Sequence, residues 1–497
     1  VSKTLRFSIQ MALATLISRI LGLVRDMLFA KEFGASPEYD AYLVAILLPF
    51  FLRKIFAEGA LSSAFIPLYN KRAIKGVEKG HRFAKSILTI FIPVLLILTI
   101  LSIYFMPQIL SFVAPGLMPG VKGLAVFMGR LIFPFILFIS LWAVYAGMLN
   151  SHDIFFTPAL SPAIHNIFII IGISLSPFFD PPILGPAIFF IIGGAAQWLM
   201  VVLAARGIQF KFTPSIDKKD ISDFMPIFLS SFAALSVTQI NSIVDTNVVS
   251  GLGTGSVSLL QYANRLFQLP LGVFAISVST VALAQLSKNS PEEFKKNLAE
   301  GIERMALFVL PASIGLFLLR QDIITLLFQR GQFSLYDSIM TSDILMGYLI
   351  GLPFYSLYSL LSRAEYAIKK PRIVFLASTL SVGVNIFLDI TLSKTMGPLG
   401  VALATSFAGI TGFTVLLVHL YSIELLRIKW SNTSEILKSV AACFTMGLFI
   451  VLTNSLMVYS VIGVLLKITL SVAILFLTLF LLKQKDFMVI YRRLFRK

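Results

Sequence analysis

Arg19, Arg25 and Asp26 lie inside one long apolar stretch, and Arg53, Lys54 and Glu58 lie inside the next. On a helix, Arg19 and Asp26 share a face, with Arg25 on its flank. Arg53, Lys54 and Glu58 fall within two helical turns and are followed by Ser62 and Ser63. A later apolar stretch carries Arg265 beside Gln261, Tyr262 and Asn264. An ionisable group at membrane depth is expensive, so it faces a polar cavity or a partner. The planar guanidinium fork matches phosphate oxygens in charge and in hydrogen-bond geometry. Several arginines converging on a cavity would therefore make a diphosphate site. The alternative is a pair of buried salt bridges, Arg25–Asp26 or Lys54–Glu58, that merely hold helices together. Pairing does not account for the whole set, because Arg19, Arg53 and Arg265 have no carboxylate one helical turn away.

A second constellation offers only hard oxygen ligands. Asn241 and Asp245 are four residues apart, as are Asn385 and Asp389, and Thr405 follows Val401 at the same spacing. Each pair shares a helical face. Such a set can hold a sodium ion, or it can pack helices together through interhelical hydrogen bonds; spacing alone leaves both readings open. The four histidines, His81, His152, His165 and His419, show no metal-ligand spacing, and Cys443 has no partner for an internal disulfide. There is no G-x-x-x-x-G-K-[ST] phosphate loop and no nucleophile–base set, so neither ATP hydrolysis nor another catalytic activity is expected.

The elements that carry these residues must be membrane helices. The chain is 57% hydrophobic and 13% charged, against about 25% charged for a soluble domain. Apolar runs of the roughly 20 residues needed to cross a bilayer recur throughout. They predict an all-α membrane protein of about fourteen spans: 8–33, 38–68, 84–107, 120–148, 157–176, 182–205, 222–250, 256–286, 301–319, 339–363, 372–394, 398–421, 433–456 and 458–482. Charges in the first stretch, at Arg19, Arg25 and Asp26, argue against a cleavable signal peptide. Proline at 93, 134, 226, 270, 311 and 353 falls inside or near the starts of spans, which a helix bundle tolerates.

The net charge of +17 is explained by topology. Alternate connections hold Lys71, Arg72, Lys75, Lys79, Arg82 and Lys85, then Arg206, Lys211, Lys218 and Lys219, then Lys288, Lys295, Lys296 and Arg304. The pattern continues with Arg363, Lys369, Lys370 and Arg372, with Arg427, Lys429 and Lys438, and with the basic tail. The other connections hold only Lys31, Lys122, Arg320, Arg330 and Lys394. The positive-inside rule places both termini in the cytoplasm of a multi-pass cell-membrane protein. Basic loops beside a membrane meet anionic lipid, so no nucleic-acid partner is expected.

An internal repeat organises the spans. Asp26, Gly34, Tyr42 and Pro49 recur as Asp245, Gly253, Tyr262 and Pro270. Pro134-Phe135 and Asn166-Ile167-Phe168 recur as Pro353-Phe354 and Asn385-Ile386-Phe387, and Gly185-Pro186 as Gly397-Pro398. The repeat implies two six-helix lobes, residues 1–206 and 207–423, around a central cavity, with two additional helices and a basic tail over 424–497.

The arginine-bearing stretches resemble the MurJ (MviN) family of bacterial lipid II flippases. The resemblance is carried by Ser18-Arg19-Ile20-Leu21-Gly22-Leu23-Val24-Arg25-Asp26, Phe33-Gly34, Asp40-Ala41-Tyr42 and Arg53-Lys54-Ile55-Phe56-Ala57-Glu58-Gly59-Ala60. Gln261-Tyr262-Ala263-Asn264-Arg265 and Gly397-Pro398-Leu399-Gly400-Val401-Ala402 extend it. It implies the fold of the multidrug/oligosaccharidyl-lipid/polysaccharide exporter superfamily, with the last two helices forming a groove for a lipid tail. It also implies the substrate, an undecaprenyl-diphosphate-linked disaccharide pentapeptide carried to the outer leaflet for peptidoglycan synthesis. The substrate site then comprises Arg19, Arg25, Asp26, Arg53, Glu58 and Arg265. A sodium site comprises Asp245, Asn385, Asp389, Val401 through its carbonyl, and Thr405. A monomer surrounded by membrane lipid, needing no cofactor beyond that ion, is expected. The rival reading is an exporter of the same superfamily that moves another polyprenyl-diphosphate-linked oligosaccharide, or drugs. Cationic drugs call for acidic and aromatic cavity residues, and the mid-span charge here is mainly basic.

Overall fold

The computed structural model describes residues 3–275, 277–279, 290–426, 430–453 and 461–495, and among them eighteen α-helices and no strand occur. Ten segments are long and apolar enough to cross a bilayer, and they correspond to expected spans 3–6 and 9–14. The four that fall short are α1 (Lys3–Phe33), α2 (Pro37–Ile55) continued by α3 (Leu61–Ala73), α10 (Lys218–Ser250) and α11 (Ser256–Pro270). These four carry Arg19, Arg25 and Asp26, then Arg53, then Asp245, then Arg265. The residues Lys288, Arg427 and Lys429 lie outside the described part of the chain.

Proline and the helix breaks are related. Pro134 separates α6 (Pro119–Ile132) from α7 (Phe135–Ser151) within one expected span. Pro49 precedes a five-residue π-helical turn, Phe56–Ala60, that joins α2 to α3. Pro270 ends α11 and leads into a second π turn, Leu271–Ala275. Proline removes a backbone donor and crowds the preceding turn, and a wider turn is one way a helix absorbs the mismatch. Both π turns lie within the second expected span of a repeat half. Pro93, Pro226, Pro311 and Pro353 stay inside α4 (Val77–Tyr104), α10, α12 (Pro291–Phe328) and α13 (Leu335–Ala367).

The chain forms two compact units, residues 1–258 and 259–497. Helix α10, which the repeat places at the start of a second lobe, packs with the first unit along its length. At one end Arg72 donates to Asp220 (2.6 Å) and Asp223 (3.0 Å). In the middle, Phe224 and Phe228 stack with each other and meet Phe91 edge to face. Further along, the Ser63 hydroxyl donates to Ser231 (3.1 Å). At the other end Ser250 accepts from the Gly116 amide (3.2 Å). The cause is legible locally: Phe224, Phe228 and Phe232 form an apolar stripe at four-residue spacing. Asp40 closes this unit by accepting from the amides of Gly255 and Ser258.

In the second unit, α13 and α15 (Pro398–Ser422) approach closely through small residues. A Cβ on Gly351 would meet Ser406, and one on Gly347 would meet Ala402; the Ser406 hydroxyl donates to the Gly347 carbonyl (2.6 Å). Helices α16 (Trp430–Thr453), α17 (Val461–Leu481) and α18 (Lys485–Phe495) pack on α12 about Leu307, Leu319, Met446, Ile450, Leu475 and Leu479. Beside this core is a cavity of about 880 Å³ lined almost wholly by apolar side chains of α12, α16, α17 and α18, Phe308, Leu316, Phe476 and Ile490 among them. One ion pair ties α17 to α12: Lys467 Nζ lies 2.7 Å from Asp322 Oδ2, with the side chains only 3% and 6% exposed.

Candidate functional site

Helix α1 packs chiefly on α8 (Phe156–Ser174), and this pair builds the centre of the site. Arg25 projects toward α8 with its side chain 12% exposed. Its Nε and Nη2 both donate to Oδ1 of Asp26 (3.0 and 2.7 Å), and its Nη1 donates to Oδ1 of Asn166 (3.0 Å). The Arg25–Asp26 salt bridge considered from the sequence is therefore present. It does not exhaust the guanidinium. Three of five N–H donors are engaged, which leaves two for a ligand oxygen. Asp26 is 6% exposed and holds the fork by one edge, so it orients Arg25 as well as balancing it.

Arg53 sits half-buried on the last turn of α2, its guanidinium carbon 5.8 Å from the centre of the Phe50 ring, within cation–π range. His165, buried on α8 beside Asn166, feels the charges of both Arg53 and Arg25. Arg25 and Arg53 thus both belong to the first unit. Arg19 is exposed on α1, next to Ser18, whose carbonyl accepts from Asn166 Nδ2 (3.1 Å). The Glu58 side chain, and with it the Lys54–Glu58 pairing, lies outside the described residues. Arg265 is half-buried on α11 in the second unit, one turn after Tyr262, whose buried ring packs on Phe328 and Phe333 at 5.0 and 5.2 Å and fixes that helix.

The oxygen-ligand constellation is partly assembled within the second unit. Asn385 and Asp389 are 1% and 0% exposed on α14 (Pro371–Met396), and Asn385 Nδ2 donates to Asp389 Oδ2 (2.9 Å). On the adjacent α15, the Thr405 hydroxyl donates to the Val401 carbonyl (3.2 Å). A buried carboxylate, an amide, a hydroxyl and a carbonyl are hard donors of the kind an alkali cation takes. Asp245 belongs to α10 in the first unit and is half-buried. Among the described residues no group of three or more His, Cys, Asp or Glu is placed to hold a metal ion. The histidines serve as local partners: His165 Nε2 lies 3.1 Å from the Phe190 carbonyl, His152 Nε2 lies 2.9 Å from the Tyr69 hydroxyl, and His419 Nδ1 lies 2.7 Å from Glu365.

Asn166 is the site residue that the sequence showed only as a marker of the repeat. The signal was available, since Asn166 and Asn385 occupy matched positions and Asn385 was already a candidate ligand.

Known proteins resemble this chain over most of its length. A family model described as lipid II flippase MurJ matches residues 29–471. A probable lipid II flippase MurJ of Thermotoga maritima is 42% identical over 452 residues, 91% of this chain and 90% of that one. The lipid II flippase MurJ of Thermosipho africanus is 41% identical over 422 residues, 85% of this chain and 86% of that one. Among solved structures, a lipid II flippase MurJ in an inward closed conformation superposes with a TM-score of 0.83 at 39% identity, covering 98% of this chain and 99% of that one. An inward-facing multidrug resistance transporter of the MATE family superposes with a TM-score of 0.70 at 14% identity, over 84% of this chain and 98% of that one, which is a likeness of fold.

Proposed function

The chain belongs to the lipid II flippase MurJ family, and from that premise we propose that Arg19, Arg25, Arg53 and Arg265 bind the diphosphate of lipid II during transport. It is a multi-pass inner-membrane transporter that moves the undecaprenyl-diphosphate-linked peptidoglycan precursor from the inner to the outer leaflet by alternating access. The observation that carries the site assignment is Arg25: buried between Asp26 and Asn166, it keeps two donors for a ligand oxygen. Arg53 stands within electrostatic reach of the same region. Arg19 and Arg265 join on their mid-span charge and their place in the family motif.

The apolar cavity beside α17 and α18 suits a prenyl tail, which gains by leaving water but loses little on passing from lipid into an apolar wall. The disaccharide pentapeptide is the part for which crossing is costly, so the arginines act on the expensive half of the substrate. Directional movement requires unequal binding in the two access states. No phosphate loop is present in the chain, so the bias comes from an ion gradient or the membrane potential rather than from bound nucleotide. Asp245, Asn385, Asp389, Thr405 and the Val401 carbonyl would hold a sodium ion, which supplies a positive charge among buried oxygens. We take the protein to act as a monomer. The direct test is complementation: expression in a bacterium depleted of its own lipid II flippase should restore growth and cell shape, and failure of a well-expressed protein to do so would remove the assignment.

Sodium is expected to raise the melting temperature in detergent through linkage, with potassium and lithium as controls. Asp389→Asn should abolish the shift. An equal shift in that variant would end the sodium reading and leave Asn385–Asp389 as a packing contact.

Both termini are placed in the cytoplasm by the basic connections. Single cysteines in Lys75→Cys and Lys295→Cys should be shielded from an impermeant thiol reagent in intact cells, whereas Asn454→Cys and Ser460→Cys should be labelled. Labelling at position 75 from outside would invert the topology.

A further inference from the structure

We propose that Asn166 is a positioning residue of the headgroup site, presetting Arg25 and the turn that carries Arg19 through the two ends of a single amide; this rests on the diphosphate reading given above. The amide oxygen accepts from Arg25 Nη1 at 3.0 Å, and the amide nitrogen donates to the Ser18 carbonyl at 3.1 Å. Ser18 and Arg25 are two helical turns apart on one face of α1, and Gly22 lies between them. A Cβ on Gly22 would stand 3.7 Å from Asn166 Nδ2, so the amide lies flat along α1 over that glycine.

The need for such a clamp follows from how α1 is held. Its principal partner is α8, and Leu13, Leu16, Ile17 and Ile20 remain exposed on its other faces. An apolar contact on one side leaves a helix free to rotate or slide by small amounts, because dispersion contacts are non-directional. Two hydrogen bonds from one side chain, one to a backbone carbonyl and one to a guanidinium, specify both the rotation of α1 and the orientation of the fork. Asp26 cannot do this alone, since it belongs to the same helix as Arg25 and moves with it. Asn166 is 8% exposed and supplies the reference point on a second helix. A neutral amide also suits the task, because it accepts from the guanidinium without cancelling its charge. The matched residue of the other repeat half, Asn385, likewise holds a charged group, the carboxylate of Asp389 (2.9 Å).

The experiment is a double-mutant cycle on lipid II affinity, measured with purified lipid II and full-length protein in detergent, alongside melting temperature. Arg25→Ala should weaken binding. Asn166→Ala should weaken it about tenfold, the equivalent of one lost charge-assisted hydrogen bond, and should have a clearly smaller effect in the Arg25→Ala background, where only the hold on the Ser18 carbonyl is left to lose. A residue that only stabilised the fold would lower the melting temperature and reduce affinity equally in both backgrounds; that additive result overturns the proposal. If Asn166→Ala does not fold, Asn166→Asp serves. It keeps the acceptor toward Arg25 but adds a negative charge and loses the donor to the Ser18 carbonyl, so its loss of affinity must also shrink once Arg25 is alanine. No effect of Arg25→Ala on lipid II affinity would instead overturn the diphosphate reading at this residue, and the positioning role with it. An effect of Arg25→Ala with none of Asn166→Ala or Asn166→Asp overturns the positioning role alone.

Discussion

Alanine at Arg19, Arg25, Arg53 or Arg265 is expected to abolish complementation of a flippase-depleted bacterium while leaving membrane expression intact. Each guanidinium would lose charge-assisted bonds of about 1.5–3 kcal/mol to the diphosphate, so affinity falls by roughly one to two powers of ten per residue. Arg→Lys keeps the charge but not the fork, and partial rescue is the expected outcome. Arg25 needs a control of its own, because removing it takes a cation from beside Asp26, which is 6% exposed. The double variant Arg25→Ala with Asp26→Ala removes both partners of the pair. Recovery of function in that variant would mean the pair only holds α1 in place; a folded but inactive protein supports the direct role. Growth supported by Arg53→Ala or Arg265→Ala would take those residues out of the site.

The largest loss of stability is expected at a place remote from the arginines. Lys467 and Asp322 form an ion pair between α17 and α12 with almost no exposure. Lys467→Met leaves the Asp322 carboxylate buried without its ammonium, which costs about 3–5 kcal/mol. Replacing both, Lys467→Met with Asp322→Leu, removes the stranded charge and should recover most of the melting temperature. If the double variant melts as low as the single, the pair's contribution is not one of charge compensation.

The membrane class and the arginine-bearing helices were legible in the sequence because both are local properties. Apolar run length marks a span, and a charge within it marks an exception. Among the described residues ten spans satisfy length and apolarity directly, and the arginine-bearing stretches stand out by their charges. The Arg25–Asp26 bond was legible for the same reason, since the residues are neighbours. Asn166 was not, because its meaning depends on α1 lying against α8, 141 residues away in the chain. The affiliation of α10 was likewise hidden. The repeat counts it with the second half, but its Phe224–Phe228 stripe and the Arg72 clamp fasten it to the first. A repeat records ancestry in sequence order, whereas packing follows the apolar face, and the two need not coincide.

The π turn at Phe56–Ala60 sets a rule about chain length. An α-helix advances about 100° per residue, and a π turn accommodates a residue more than an α turn does. Arg53 lies before this turn, while Tyr69 and Arg72 lie after it and are fixed to His152 and to Asp220. Deleting one residue within 56–60 would let the turn relax to α geometry with α2 and α3 close to their present phase, whereas a deletion elsewhere between Arg53 and Tyr69 would rotate α3 by about 100° relative to α2. Either α2, with Arg53, would turn out of its packing on α6, or Tyr69 and Arg72 would lose their partners. Gly59 adds a second constraint, since a Cβ there would collide with Leu235 of α10. Relatives that share this fastening can therefore lack one residue at the π turn, but elsewhere between Arg53 and Tyr69 their residue count must be the same.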